Sequence, residues 1–289
     1  MRVAVVGAGG YLGAAIVHEF RRAHEVTALD RAALDITRAP MVDEVVARLA
    51  PDVIINCAAY NAVDAAEDAP LDALAVNAFG VRSLARAARD AGALLVHYSS
   101  DFVFDGTADA PYTEGDQPNP RSVYAVSKLL GEWFAADIAR AYVLRVESLF
   151  GQVPGARRSG GSLQAIVNTL AAGGTARVFE DRTVSPTHVI DAARATRALV
   201  EQQAPVGLYH CVNSGSATWA DVGREAARLL GVEPRLDPVR LADVALRAAR
   251  PRYCALSNAK LAAVGMAMPT WQDALARDLA GERVSRPRP

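Results

Sequence analysis

The sequence predicts an α/β fold built on a doubly wound parallel sheet, with a smaller and less regular α/β part joined to it. Three observations carry this expectation. Short β-branched apolar runs alternate with Ala- and Arg-rich helical patterns through the first half of the chain. The runs are continuously apolar rather than alternating, as strands covered on both faces are. After about residue 151 the rhythm loosens into stretches rich in Gly, Arg, Ser and Pro. The length agrees, since 289 residues allow one large domain or two smaller ones, with a core that needs no disulfide or structural metal.

Taken in order, Val3–Val6 reads as a strand, Leu12–Ala23 as a helix and Val26–Asp30 as a second strand. Met41–Leu49 is helical, Val53–Cys57 is a buried strand, and Leu71–Gly92 is one long helical region. A strand at Leu94–Ser99, a helix over Val123–Ala139 and a strand at Tyr142–Arg145 follow. Strands separated by helices are βαβ units, which make a parallel sheet. Gly151–Gly161 reads as a loop. Ser162–Ala172 is then helical, Ala176–Glu180 a strand, Pro186–Glu201 a longer helix, Leu208–Val212 a strand and Trp219–Leu230 a helix. Prolines punctuate the stretch from Pro234 to Pro251, and Arg283–Pro289, without apolar periodicity, reads as disordered.

Composition excludes several function classes. A formal net charge of −1 argues against nucleic-acid binding by wholesale phosphate neutralisation. No stretch approaches the ~18 consecutive apolar residues of a membrane span, and the apolar run Val3–Val6 is too short for a signal peptide. Cys57, Cys211 and Cys254 are few, odd in number and not in CxxC spacing, so neither a disulfide framework nor a zinc site is expected. A reducing cytoplasm is the predicted compartment. The histidines show no metal-ligand spacing, so no metal is predicted; His97 reads as a core histidine. Trp133, Trp219 and Trp271 fall in helical patterns and read as packing residues. Oligomeric state is not legible, and a homodimer is left open.

The first motif with chemical content is Gly7-Ala8-Gly9-Gly10-Tyr11-Leu12-Gly13, directly after the first strand and at the start of the first helix. Glycines there let the backbone turn tightly and approach a pyrophosphate, whose charge rests on the helix N-terminus. The second strand ends in Asp30, a carboxylate able to accept hydrogen bonds from adenosine ribose hydroxyls. Arg31 beside it can stack on adenine, pair with a 2′-phosphate, or stay a solvated surface residue. The strand–glycine–helix order therefore points to a dinucleotide.

The second motif is Tyr124-Ala125-Val126-Ser127-Lys128. On a helix the phenol and ammonium, four residues apart, share one face. A nearby ammonium favours phenolate and is expected to lower the tyrosine pKa toward the working range. Such a phenol can protonate a carbonyl oxygen as hydride arrives at carbon. Of the 31 basic residues only Lys128 and Lys260 are lysine, so an accidental pairing at this spacing is rare. The third motif, Tyr98-Ser99-Ser100-Asp101, lies at the C-terminal end of a strand, where ligands of open α/β sheets collect. Ser100, with Ser99 as the competing choice, can orient a substrate carbonyl; serines that merely cap a strand end are the plain alternative. Asn56 to Tyr60, Val63 to Glu67 and Val76-Asn77 form a fourth set, equally well explained by core packing, with Cys57 a small buried residue near the dinucleotide.

Together these residues resemble the dTDP-4-dehydrorhamnose reductase family, a branch of the extended short-chain dehydrogenases, nearly end to end. The resemblance runs through Ala58-Ala59-Tyr60, Val63-Asp64, Glu67, His97 to Gly106, Pro111-Tyr112, Glu114, Tyr124 to Lys128, Gly131-Glu132, Ser185-Pro186-Thr187 and Arg250-Pro251. It implies a Rossmann-type domain of residues 1–150 plus about 185–203 for the dinucleotide. Residues of about 151–184 and 204–289 would then bind substrate. It implies Tyr124 as proton donor, Lys128 as the residue that lowers its pKa and holds the nicotinamide ribose, and Ser100 as the carbonyl-orienting hydroxyl where the family usually has threonine. NADPH or NADH would lie against Gly7, Gly10, Tyr11, Leu12, Gly13, Asp30, Arg31, Asp35, Ile36, Ala58, Ala59, Tyr60, Asn77, Tyr124 and Lys128. A nucleotide sugar would meet Val63, Ser100, Asp101, Phe102, Ser148, Arg182 and Arg250.

The departures fall in the expected sugar pocket. Where the family has Arg-Thr-Ser-Trp, this chain reads Arg145-Val146-Glu147-Ser148, so the aromatic platform is replaced by Ser148. Asp181-Arg182-Thr183-Val184 replaces the usual Asp-Gln-x-Gly; Arg182 can pair with a pyrophosphate or be solvated. The implied activity is NAD(P)H-dependent reduction of the 4-keto group of a nucleotide-linked deoxysugar. A nucleotide-sugar epimerase or dehydratase of the same fold stays open, although Phe102 stands where dehydratases of that group carry a glutamate. A non-catalytic dinucleotide-binding regulatory subunit also stays open, since fold does not settle activity.

Overall fold

The computed structural model describes residues 1–153 and 161–285. Its elements run β1 (Arg2–Val6), α1 (Tyr11–Phe20), β2 (Glu25–Leu29), α2 (Ala39–Leu49), β3 (Val53–Asn56), α3 (Val63–Asp68), α4 (Pro70–Leu74), a π-helical turn (Ala75–Gly80), α5 (Val81–Asp90), β4 (Leu94–Ser100), α6 (Val123–Ala136) and β5 (Ala141–Val146). There follow β6 (Leu149–Phe150), α7 (Ser162–Ala171), β7 (Ala176–Phe179), β8 (Thr183–Val184), β9 (Thr187–His188), α8 (Val189–Glu201), β10 (Gly207–His210), β11 (Ala217–Thr218), α9 (Trp219–Leu230), β12 (Leu236–Val239), α10 (Ala259–Ala263) and α11 (Trp271–Ser285).

Six strands form the central sheet in the order β10-β5-β4-β3-β1-β2, and every neighbouring pair is parallel. The sheet works as two half-cores because successive side chains point to opposite faces. Val3, Val5, Ile55, Val96 and Leu144 face α1 and α8, against Ile16, Phe20, Val189 and Leu199. Ala4, Val6, Ile54, Leu95 and Val143 face α2 and α5, against Val42, Val46, Leu84 and Ala88. Residues of β3, β4 and β5 are buried throughout, which is why their sequences carry no alternation. A third cluster, with Leu163, Val167, Val178, Trp219 and Leu275, belongs to the smaller part.

Several expectations are corrected. The strand near residue 208 was expected in the smaller part, but β10 hydrogen-bonds to β5 as the edge of the central sheet. The long helical region over Leu71–Gly92 is present as α4, a π-helical turn and α5, which follow one another without a gap. Gly80 lies there against Ile36, whose Cδ1 a glycine-borne Cβ would meet at 2.7 Å. The helix expected from Pro186 begins only at Val189, because Thr187 and His188 pair with Leu149 and Phe150. Val63 to Glu67, to which the sequence pattern assigned no element, begin the helix α3, and Glu67 accepts the Val123 N–H at 2.9 Å. Trp133 is 62% exposed rather than packed, whereas Trp219 and Trp271 are buried. Of the tail expected to be disordered, Arg283 to Ser285 continue α11; residues 286–289, and most of the loop expected over Gly151–Gly161, lie outside the described residues.

β5 is tied to α6 by Arg145, whose guanidinium makes two parallel hydrogen bonds to Glu132 at 2.8 and 2.7 Å. It also lies 4.8 Å over the Phe104 ring. A planar guanidinium satisfied on its edge and face is the form in which a charge tolerates burial. No helix among the described residues is long and apolar enough to cross a membrane.

Candidate active site

The turn between β1 and α1 is closed by its own backbone. Gly7 N–H and Ala8 N–H donate to the Leu29 carbonyl at 2.8 and 3.0 Å, and Gly10 N–H donates to the Gly7 carbonyl at 3.0 Å. Gly7 has φ +76°, and a Cβ there would meet the Ala58 amide nitrogen at 2.5 Å. Only glycine lets the turn lie against the segment after β3 in this way. α1 begins at Tyr11 with no side chain capping its end, so its N-terminus is available to an anion.

Two cavities of about 460 and 490 Å³ meet along this wall, sharing Gly10, Cys57, Ala58, Ala59 and Asn61. Gly7, Asp30, Arg31, Asp35, Ile36 and Tyr60 wall the second. The Asp30 carboxylate is fixed there by the Ala33 N–H at 2.9 Å. Tyr11, Leu12, Val63, Ser100, Asp101, Phe102, Tyr124, Lys128, Ser148 and Arg182 wall the first. The glycine cradle, the uncapped helix end and the paired cavities fit a dinucleotide.

Three expected residues are not among the described residues that line either cavity: Gly13, Asn77 and Arg250. A Cβ on Gly13 would meet the Gly7 carbonyl oxygen at 2.3 Å, so this glycine serves the packing of α1 on the turn. Asn77 is fully buried. It accepts the Tyr60 N–H at 2.8 Å and donates to the Tyr60 carbonyl at 3.1 Å and to Ser127 Oγ at 3.0 Å. It thereby brackets the loop after β3 against α6. Arg250 is paired with Asp64 at 2.7 Å and lies 5.7 Å over the Phe102 ring.

Tyr124 stands in the first turn of α6, whose start is set by Ser122 accepting the Ala125 N–H at 3.2 Å. Its ring packs edge-on against Phe102, with centroids 5.5 Å apart and planes at 90°. Ser100 Oγ donates to Asp101 Oδ1 at 2.8 Å and lies close enough to lower the Tyr124 pKa by hydrogen bonding. Lys128 Nζ donates to the Tyr98 carbonyl at 2.6 Å. Ser99, the competing hydroxyl, also reaches the cavity wall, but its Oγ is buried without a partner.

The electrostatics correct one expectation. Burial, and then the Asp101 carboxylate, push the Tyr124 phenol up to about 12, against the Ser100 hydrogen bond, which lowers it. The protein without ligand therefore holds Tyr124 as a neutral phenol, the form that donates a proton. Burial brings Lys128 down to about 8, against the opposing pull of Glu132 and Cys57. Lys128 thus loses its charge as pH rises through about 8. The kcat/KM for the cofactor, which reports groups of the free enzyme, is expected to fall above that pH. A pH profile without an alkaline limb would contradict the assignment.

The sugar end of the first cavity carries the two departures. Ser148 has φ +44°, an uncommon conformation for a non-glycine residue, and Arg182 lies 5.5 Å over the Phe102 ring. Trp219, read as packing, is in the core but also borders this cavity. Sequence reasoning did not single out Glu147 as a site residue. It lines the cavity while 2% exposed, and its only signal was the departure at Val146-Glu147-Ser148.

The RmlD substrate binding domain family matches residues 1–283. The chain belongs to the RmlD family. It is 37% identical over 299 residues to a dTDP-4-dehydrorhamnose reductase of Streptomyces griseus, covering 99% of this chain and 96% of that protein. It is 36% identical to the dTDP-4-dehydrorhamnose reductase of Mycobacterium tuberculosis, covering 96% of this chain and 92% of the other. Among solved structures, a dTDP-4-dehydrorhamnose reductase from Clostridium acetobutylicum superposes with a TM-score of 0.90 at 31% identity, over 98% of this chain and 100% of that one. One from Bacillus anthracis in complex with NADP superposes with a TM-score of 0.89 at 30% identity, over 97% and 99%. Membership in the RmlD family agrees with the parallel sheet, which the solved relatives share.

Proposed function

We infer that this chain is an NAD(P)H-dependent reductase acting on the 4-keto group of a nucleotide-linked deoxysugar. The observation that carries the reading is the meeting of Ser100, Tyr124 and Lys128 on one wall of a cavity continuous with the glycine turn. Residues 1–150 with about 185–203, extended by β10, hold the dinucleotide; the remainder completes the sugar pocket. Bound there, the reduced nicotinamide supplies the hydride. Ser100 holds the substrate oxygen by a hydrogen bond, and Tyr124 gives its phenolic proton to that oxygen as negative charge builds on it. Lys128 holds the nicotinamide ribose, and its ammonium offsets the charge left on Tyr124. Phe102 and Tyr124 pack against each other and hold the phenol in one orientation, the kind of positioning on which rate depends. Three free cysteines support a reducing, cytoplasmic setting.

The test is a panel of 4-keto-6-deoxy nucleotide sugars offered with NADH and NADPH. The expected result is oxidation of one cofactor molecule per sugar reduced. Isomerised sugar with no net cofactor consumption would replace this reading by an epimerase, and dinucleotide binding with no turnover of any sugar by a regulatory subunit.

A further inference from the structure

Asp101 and Glu147 become neighbours through strand register. Ser100 ends β4 and pairs with Val146, which ends β5, and the residue just after each strand carries a carboxyl group into the same buried space. The two are 3% and 2% exposed. A carboxylate oxygen of each and the Cys254 Sγ all lie within 4.8 Å of one another. One oxygen of each carboxyl is used: Asp101 Oδ1 accepts the Ser100 hydroxyl at 2.8 Å, and Glu147 Oε2 accepts the Ser185 N–H at 2.6 Å. The other two, Asp101 Oδ2 and Glu147 Oε1, are buried with no hydrogen-bond partner.

The charge balance is uneven. Arg182 is the cation that faces both carboxyls. Its guanidinium also donates to Cys254 Sγ at 3.7 Å. The other titratable groups facing the pair are Tyr124 from α6 and the Cys254 thiol and Tyr253 phenol from the segment before α10. All three are neutral at pH 7. Two buried carboxylates against one guanidinium leave a negative charge unbalanced, and one proton taken up by the pair removes it. Burial raises the proton affinity of both groups, and in Glu147 the Asp101 charge adds to it.

We propose that Asp101 and Glu147 hold one proton in common and deliver it through Ser100 to Tyr124, restoring the phenol after each turnover. The proposal rests on the reductase reading given above. Tyr124 gives its proton to the substrate oxygen and is left as phenolate. The Ser100 hydroxyl passes its proton to that phenolate and takes one from the Asp101 carboxyl, which a half-turn about its Cβ–Cγ bond makes equivalent at either oxygen. The pair, now doubly ionised, takes a proton from water when product leaves. Glu147 acts through Asp101 and Ser100 and is a positioning residue, not a catalytic one.

E147Q tests this. The amide keeps an acceptor for the Ser185 N–H and offers a donor to Asp101 Oδ2, so Asp101 becomes a lone carboxylate facing Arg182. The wild-type protein, without substrate at pH 7, is expected to show an infrared band of a protonated carboxyl that the E147Q protein lacks. With cofactor and a reducible sugar, the first turnover of E147Q should run at the wild-type rate and later turnovers about tenfold slower. Absence of the infrared difference overturns the proposal. So do later turnovers at the wild-type rate, or first and later turnovers slowed alike, which marks a binding or structural role. Should E147Q not fold, D101N supplies the infrared difference in its place. The infrared arm needs no substrate, so failure to reduce any sugar would sink the reductase reading and leave the shared proton decided separately.

Discussion

Replacing Tyr124 by phenylalanine is expected to lower kcat by about 10²–10⁴-fold and to leave dinucleotide affinity at its wild-type value. The substitution removes one oxygen. The edge-on contact with Phe102 and the buried position in α6 are kept by the phenylalanine ring. What disappears is a phenol that burial and Asp101 keep protonated and that stands beside Ser100. The Lys128 ammonium on the same wall donates to the Tyr98 carbonyl. Stopped-flow cofactor oxidation and a fluorescence titration with NADPH separate the two quantities. Turnover at the wild-type rate would remove Tyr124 from the chemistry.

Gly7→Ala is expected to abolish dinucleotide binding and to destabilise the fold by about 2–5 kcal/mol, the sum of left-handed backbone strain and overpacking. The residue has φ +76°, and the added methyl would meet Ala58 N, Ala58 Cα and the Cys57 carbonyl carbon at 2.5, 2.7 and 2.8 Å. All three are backbone atoms and cannot turn aside, so β1 and the segment after β3 must separate where the two cavities meet. Gly92→Ala is the control. It has φ +67° but no atom within 4 Å of the added methyl, so it carries the strain without the clash and should cost about 1 kcal/mol. Thermal unfolding of both variants, with NADPH titration of each, checks the difference. Equal losses in the two would show that the close approach of Gly7 to Ala58 does not matter.

The central sheet was legible because burial on both faces writes itself into sequence as continuous apolar runs, as in Val53–Asn56 and Ala141–Val146. Pairings of two residues, such as β6 with β9, span too little chain to leave a period. The π-helical turn was hidden for another reason: Asn77 holds Tyr60 and Ser127 there, and contacts that distant have no local signature. The Tyr-Lys spacing predicted one shared helix face, and Tyr124 and Lys128 line the same cavity. It could not give the sign of the shift on Tyr124, which depends on burial and on Asp101. Trp133 falls in a helical pattern like the other tryptophans, but hydrophobicity alone does not say which helix face is covered.

The alignment of β4 with β5 has a consequence for how this pocket could change. Moving one strand past the other by a single residue would turn Glu147 toward the opposite face of the sheet and unseat Ser100 at the same time. Hydroxyl and carboxyl are therefore inherited as a unit fixed by backbone pairing, and new specificity is more readily gained in the surrounding loops than by shifting either strand.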